Sequence, residues 1–194
     1  MKKCTSPCLI GLTGSILSGK STVLAELARL GVPTLSADKL VHELYRDPSV
    51  RRQLKTWFGS TEPGEVAKQI FLSAASRQKL EKFLHPLVWK LTRQKLAGLQ
   101  VPWVIFEAPL LFEAGWEKRM ELTVLVTAPQ KTLSARLRAR HMSRAEYDKR
   151  RKAQLNEAEK IGRADVVIYN DGTKKDLETK IRRLHQALSD LYAK

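Results

Sequence analysis

The chain has 194 residues, 43% of them hydrophobic, which is enough to bury a core without disulfide or metal staples and too many for a disordered segment. Its net charge of +15 favours polyanionic partners, whether nucleic acid, acidic lipid or small multiply phosphorylated molecules. The two cysteines, Cys4 and Cys8, lack zinc-ligand spacing, and no stretch approaches the roughly 20 apolar residues of a membrane span, so a cytoplasmic protein with reduced thiols and no membrane partner is expected.

In chain order, the short apolar run 9–13 reads as a buried strand and 14–19 as a loop. A helix is predicted over 21–30, because Val23, Leu24, Leu27 and Leu30 fall on one face and Gly31 sits where a C-cap would. Residues 32–35 form a second short strand, with Asp38 just beyond its end. From 39 to 98 the pattern is helical. Val41, Leu44 and Tyr45 belong to one helix and Phe83, Leu84, Leu87, Val88 and Leu91 to another, with the Gly/Pro-containing stretch 59–64 between them. Strands follow at 103–106, 122–127 and 166–169. Short apolar strands alternating with helices predict an α/β fold of three layers around a mainly parallel sheet. Two stretches depart from that rhythm, a helical insertion at 39–98 and a basic segment at 130–163. The basic segment has 11 Lys/Arg against 4 Asp/Glu.

Gly14-Ser15-Ile16-Leu17-Ser18-Gly19-Lys20-Ser21 fits G-x-x-x-x-G-K-[ST] at every defined position, between a strand and an amphipathic helix. Such a loop turns successive backbone N–H groups inward as an anion nest, and the following helix aims its positive end at the same point. Lys20 can reach the β- and γ-phosphates of ATP and the Ser21 hydroxyl can ligate Mg²⁺, while Thr22 can add a contact near the α-phosphate. Glu107, closing the strand at 103–106, fits the position of a second metal-side carboxylate. The chain has no guanine-reading N-K-x-D, and its size suits a small-molecule kinase. Phosphoryl transfer needs charge neutralised and water excluded, and the segment 130–163 suits an arginine-bearing lid. Arg136 and Arg140, four apart, share a helix face there. Asp38 is the candidate general base; the same position also suits a helix N-cap.

Beyond these single sites, the chain resembles the dephospho-coenzyme A kinase family over most of its length. The resemblance rests on "IGLTGSILSGKST" at 10–22, "SAD" at 36–38, "LEKFLHPLV" at 80–88, "FEAPLLFE" at 106–113, "ARLRAR" at 135–140, Gln154, "EKIGRAD" at 159–165 and "YNDG" at 169–172. It implies a single kinase domain over 1–194 with an acceptor-binding insertion and a lid, and transfer from ATP to the ribose 3′-hydroxyl of dephospho-CoA, the last step of coenzyme A synthesis. By position it implies Asp38 as base, Arg140 acting from the lid, Asn170 near the adenine and His85 with its helix neighbours facing the acceptor. Arg136 is a further candidate for the nucleotide, and Glu107 and Leu111 are further candidates for the acceptor. The chain departs from the family at Ser15 and Leu17, where glycine is usual, at Ser36, and at Glu107 in place of aspartate. A nucleoside or nucleotide kinase, and a P-loop protein that binds without turnover, stand as alternatives. With 7% aromatic residues and no binding motif, no nucleic-acid partner is expected.

Overall fold

In a computed structural model, residues 7–139 and 142–192 are described. They divide into two compact units, one drawn from Met1–Thr34 with Gln100–Lys194 and the other from Leu35–Leu99.

The first unit carries strands β1 (Cys8–Gly14), β3 (Trp103–Glu107), β4 (Leu122–Thr127) and β5 (Val166–Tyr169), and β2 (Thr34–Ser36) begins in it at Thr34; the strand order is β2-β3-β1-β4-β5. β1 lies at the centre, parallel to β3 and β4, with Leu12 beside Glu107 and Gly14 beside Val126. β5 runs parallel to β4 and places Tyr169 beside Thr127. Strands covered on both faces need apolar residues at successive positions, and every residue of β3 is buried. On one face Ile10, Leu12, Ile105, Val124, Val126 and Ile168 pack against helices α1 (Lys20–Arg29) and α9 (Lys174–Tyr192). Leu177, Ile181, Leu184 and Leu188 form the buried stripe of α9 at helical spacing. Each such side chain contributes about 1.5–3 kcal/mol on leaving water.

The α1 helix begins at Lys20 and ends at Arg29, shifted by one residue at each end from the predicted 21–30. Gly31, at φ 81°, ends it: its N–H donates to Ala28 O (3.0 Å) and that of Val32 to Leu27 O (3.0 Å). This pairing is a Schellman motif. It also explains why β2 starts at Thr34 rather than at residue 32, since Val32 uses its N–H to close the helix.

The second unit is helical. The predicted helical stretch divides into α2 (Ala37–Leu44), α3 (Pro48–Phe58), α4 (Pro63–Leu72) and α5 (Ala74–Ala97). Val50, Leu54 and Phe58 of α3 meet Val66 of α4 and Leu80 and Leu84 of α5, and Val41, Leu44 and Tyr45 pack on this core. Trp57 and Phe83 meet edge to face, centroids 5.2 Å apart. Asp47 caps α3 by accepting from the N–H groups of Ser49 (2.8 Å) and Val50 (3.3 Å), with Pro48 at the first helical position. These bonds and the Ser49 hydroxyl, the largest contribution, hold the Asp47 carboxyl below its usual pKa.

The remaining elements belong to the first unit: a 3₁₀ turn (Trp116–Arg119), and α6 (Gln130–Ala139), α7 (Arg144–Lys152) and α8 (Glu157–Arg163) within the basic segment. Among the described residues no helix is long and apolar enough to cross a membrane.

Candidate active site

The loop between β1 and α1 is fixed by its two glycines. A Cβ on Gly14 would lie 2.6 Å from Val126 O and 2.7 Å from Ser18 Oγ, so only glycine lets β4 approach this closely. Gly19 has φ 103°, and a Cβ there would lie 2.2 Å from Asn170 Nδ2. Between them the loop folds back on itself, the Ser18 N–H donating to Ser15 O (3.0 Å). The α1 helix then begins at Lys20 with its first turn exposed at Ser21 and Thr22, which gives an anion a positive helix end and accessible hydroxyls.

Leu17 is the one non-glycine with positive φ among the described residues, at 66°. It is buried with Leu133 of α6 and Tyr147 of α7, flanked by Ile16, Ala128, Leu137 and Met142. The leucine side chain thus packs among residues of the basic segment. Ser15 keeps an ordinary φ. Its hydroxyl donates to Glu157 Oε2, and Glu157 Oε1 accepts from the Thr127 hydroxyl at the end of β4.

Other residues hold the loop from outside. Arg136 Nη1 donates to Leu17 O (2.9 Å), and the buried Asn170 donates through Nδ2 to Ser18 O (2.8 Å) and through its backbone N–H to Thr127 O (2.7 Å). Gln154 Oε1 accepts from the Ile16 N–H (3.2 Å), and its Nε2 donates to Pro109 O (3.0 Å). Lys20 forms an ion pair with Glu107, both largely shielded from water. The parallel register of β1 and β3 makes that pairing possible by ending β3 alongside Leu12. A carboxylate and an ammonium at the mouth of an anion nest can between them bind a metal cation and a phosphate.

Asp38 is exposed in the first turn of α2, where an acidic side chain is favoured by the helix dipole. It is not the N-cap, a position that Ser36 takes without a side-chain capping bond to the helix. His85 is half-buried in α5 beside the mid-helix Pro86, and burial pulls its pKa below the ordinary 6.5 against the opposing charge of Glu81. Leu111 is wholly buried, and a Cβ on Gly11 would lie 2.9 Å from its Cδ2. Arg140 and Cys4 lie outside the described residues. The structure thus brings together Gly14 to Ser21, Glu107, Arg136 and Asn170 within the first unit, while Asp38 and His85 belong to the second. Sequence reasoning missed Glu157 and Thr127. Neither carries a motif, and a hydroxyl–carboxylate pair 142 positions apart has no local signal.

A parallel sheet with this loop at the end of its central strand and a lysine–carboxylate pair beside it defines a P-loop nucleotide-binding protein. The family model for dephospho-CoA kinase matches residues 8–176, and the chain belongs to that family. Among its relatives, the dephospho-CoA kinase of Thermus thermophilus is 38% identical over 192 residues, covering 95% of this chain and 92% of the relative. That of Geobacter sulfurreducens is 36% identical over 189 residues, covering 91% and 96%. The crystal structure of TT1252 from Thermus thermophilus superposes with a TM-score of 0.85 at 38% identity, covering 95% of this chain and 98% of that one. The chain is accordingly an ATP-dependent kinase of dephospho-CoA, an activity in coenzyme A synthesis.

Proposed function

We propose that the enzyme transfers the γ-phosphoryl group of ATP to the ribose 3′-hydroxyl of dephospho-CoA, with Asp38 as base and the loop 14–21 as the ATP site. The observation that carries this reading is the loop itself. Both of its glycines are sterically required, and Lys20 stands at its mouth against the buried Glu107. The loop of Gly14, Ser15, Ile16, Leu17, Ser18 and Gly19, with Thr22 beyond it, receives the phosphate chain on its inner side, and Lys20 offsets the charge on its terminal groups. Arg136, already at Leu17 O, and Arg140 supply further positive charge from the basic segment as a lid. The segment around Asn170 faces the adenine end.

Asp38 accepts the proton of the 3′-hydroxyl as its oxygen attacks the γ-phosphorus. The bond from that phosphorus to the β–γ bridging oxygen breaks, and ADP leaves. Residues 39–98 receive the acceptor, with burial favouring the neutral form of His85, and Leu111 takes part in acceptor binding. Ser21 and Glu107 offer oxygen donors that fit Mg²⁺, which takes few protein ligands and keeps water and phosphate oxygens. Bound there, it would supply neutralisation of charge on the β- and γ-phosphates. We place the enzyme in the cytoplasm, with small-molecule partners only.

ADP release with Mg·ATP, with and without dephospho-CoA, tests this reading when coenzyme A is confirmed by mass. Acceptor-dependent ADP with matching coenzyme A is expected, and turnover with a nucleoside in its place would overturn the assigned acceptor. Asp38→Asn should lower kcat by about 10²–10⁴-fold with the fold intact. Near-normal turnover of that variant would remove Asp38 from the role of base.

A further inference from the structure

Gln154 carries part of the family resemblance, yet nothing in the proposed chemistry uses it. It lies in the short connection between α7, which ends at Lys152, and α8, which begins at Glu157. From there its side chain bridges two loops. It accepts the Ile16 N–H through Oε1 (3.2 Å) and donates through Nε2 to Pro109 O (3.0 Å), just beyond the end of β3, and more weakly to Gly14 O (3.5 Å). Three residues on, Glu157 accepts from Ser15 on one carboxylate oxygen and from Thr127 on the other. The two residues thus engage consecutive positions of the phosphate loop.

The connection is itself tied down. The Leu155 N–H donates to Glu113 Oε1 (2.8 Å), and the same oxygen faces the wholly buried Lys160 at 3.4 Å. Asn156 caps α8 by accepting the Glu159 N–H (2.8 Å). A buried charge pair set on a helix of seven residues is a costly arrangement that fixes position.

We propose that Gln154 and Glu157 are positioning residues for the ATP loop, a strap that holds its outer limb so that the inner limb stays turned toward phosphate. The proposal rests on the reading of 14–21 as the ATP site. Glu157 cannot serve as a phosphate ligand, because a carboxylate repels phosphate. Its two hydroxyl partners give it a mechanical role, joining the loop to β4. Ser15 replaces the glycine usual in the family, and its hydroxyl is what Glu157 grips, so this chain turns the departure into an anchor. By satisfying the Ile16 N–H and the Ser15 hydroxyl from outside, the strap lowers the ordering cost that ATP would otherwise meet on binding.

Steady-state kinetics with ATP varied at saturating dephospho-CoA, alongside thermal unfolding, tests this. Gln154→Met keeps the side-chain volume and loses its hydrogen bonds to Ile16, Gly14 and Pro109. It is expected to raise the KM for ATP about 5- to 10-fold, the scale of one or two hydrogen bonds, with the KM for dephospho-CoA within about 2-fold and the melting temperature nearly unchanged. A lowered melting temperature with an unchanged KM for ATP would make Gln154 a structural residue and overturn the proposal, as would no change in either. If Gln154→Met does not fold, the cycle of Ser15→Ala, Glu157→Gln and the double variant decides. Effects on the KM for ATP that do not add support a strap acting through Ser15, and additive effects refute it. Wild-type protein that ATP does not stabilise would sink the loop reading itself, whereas ATP-stabilised wild type with indifferent variants sinks the strap alone.

Discussion

Leu17 carries two opposed terms at one position. Its φ of 66° costs an L-residue roughly 1–2 kcal/mol relative to ordinary backbone, while its side chain is buried against Leu133 and Tyr147. Truncating a buried leucine costs about 2–5 kcal/mol, so burial outweighs strain and the leucine is retained. The two terms separate experimentally. Leu17→Ala keeps the strain and loses the packing, whereas Leu17→Gly loses both. Glycine should therefore be the more stable variant by about 0.5–1 kcal/mol in urea denaturation, the reverse of the usual order, because the relief of strain exceeds the extra freedom of glycine in the unfolded chain. If alanine is the better residue, the left-handed conformation at Leu17 is not what the folded protein adopts. The loop was legible in the sequence because backbone geometry dictates glycine at 14 and 19 and phosphate chemistry a lysine at 20. Where Leu17 would send its side chain was not legible, since its partners lie more than a hundred positions away.

Among the elements, β3, β4 and β5 were readable almost to the residue. β3 and β4, buried along almost their whole length, are continuous apolar runs, and β5 at the sheet edge is a shorter apolar run; Glu107 ends β3 and Asn170 follows β5. The division of the helical unit was less legible. The boundary of α4 and α5 is a single serine, Ser73, which accepts the Ser76 N–H to cap α5, and no glycine or proline announces it. The cap of α3 yields a pH prediction. Asp47 titrates below its usual value in the folded protein, so the folded state binds fewer protons there than the unfolded chain as pH falls. Its contribution is complete above the unfolded value near 3.8 and is lost as pH drops through the folded pKa. Asp47→Ala should therefore be less stable than wild type at neutral pH, with the gap closing under strong acid. Asp47→Asn should keep much of the cap with less dependence on pH, since an amide oxygen also accepts from the first turn. A gap between wild type and Asp47→Ala that persists unchanged to acid pH would remove the charge from the explanation.

At the scale of the whole molecule the +15 charge acquires a direction once the site is known. ATP is a compact polyanion, and a chain this basic draws it in while paying for its own self-repulsion in the absence of anions. Binding to the folded state alone stabilises by linkage, by about 2.7 kcal/mol at a hundredfold excess over Kd. For a chain of this size that corresponds to roughly a 5–10 °C rise in melting temperature. Added salt screens exposed charges over about 10 Å at 0.1 M and about 3 Å at 1 M, so the shift at fixed ATP should shrink as NaCl rises. Lys20→Ala separates the local contribution from the general one. It removes one charge of the excess and leaves the rest of the basic field in place. The variant should retain the salt sensitivity of its ligand-free melting temperature, yet lose most of the stabilisation by ATP. A shift by ATP that survives Lys20→Ala and falls only with salt would mean that the nucleotide is held by the general field, and that the loop 14–21 is not its principal site.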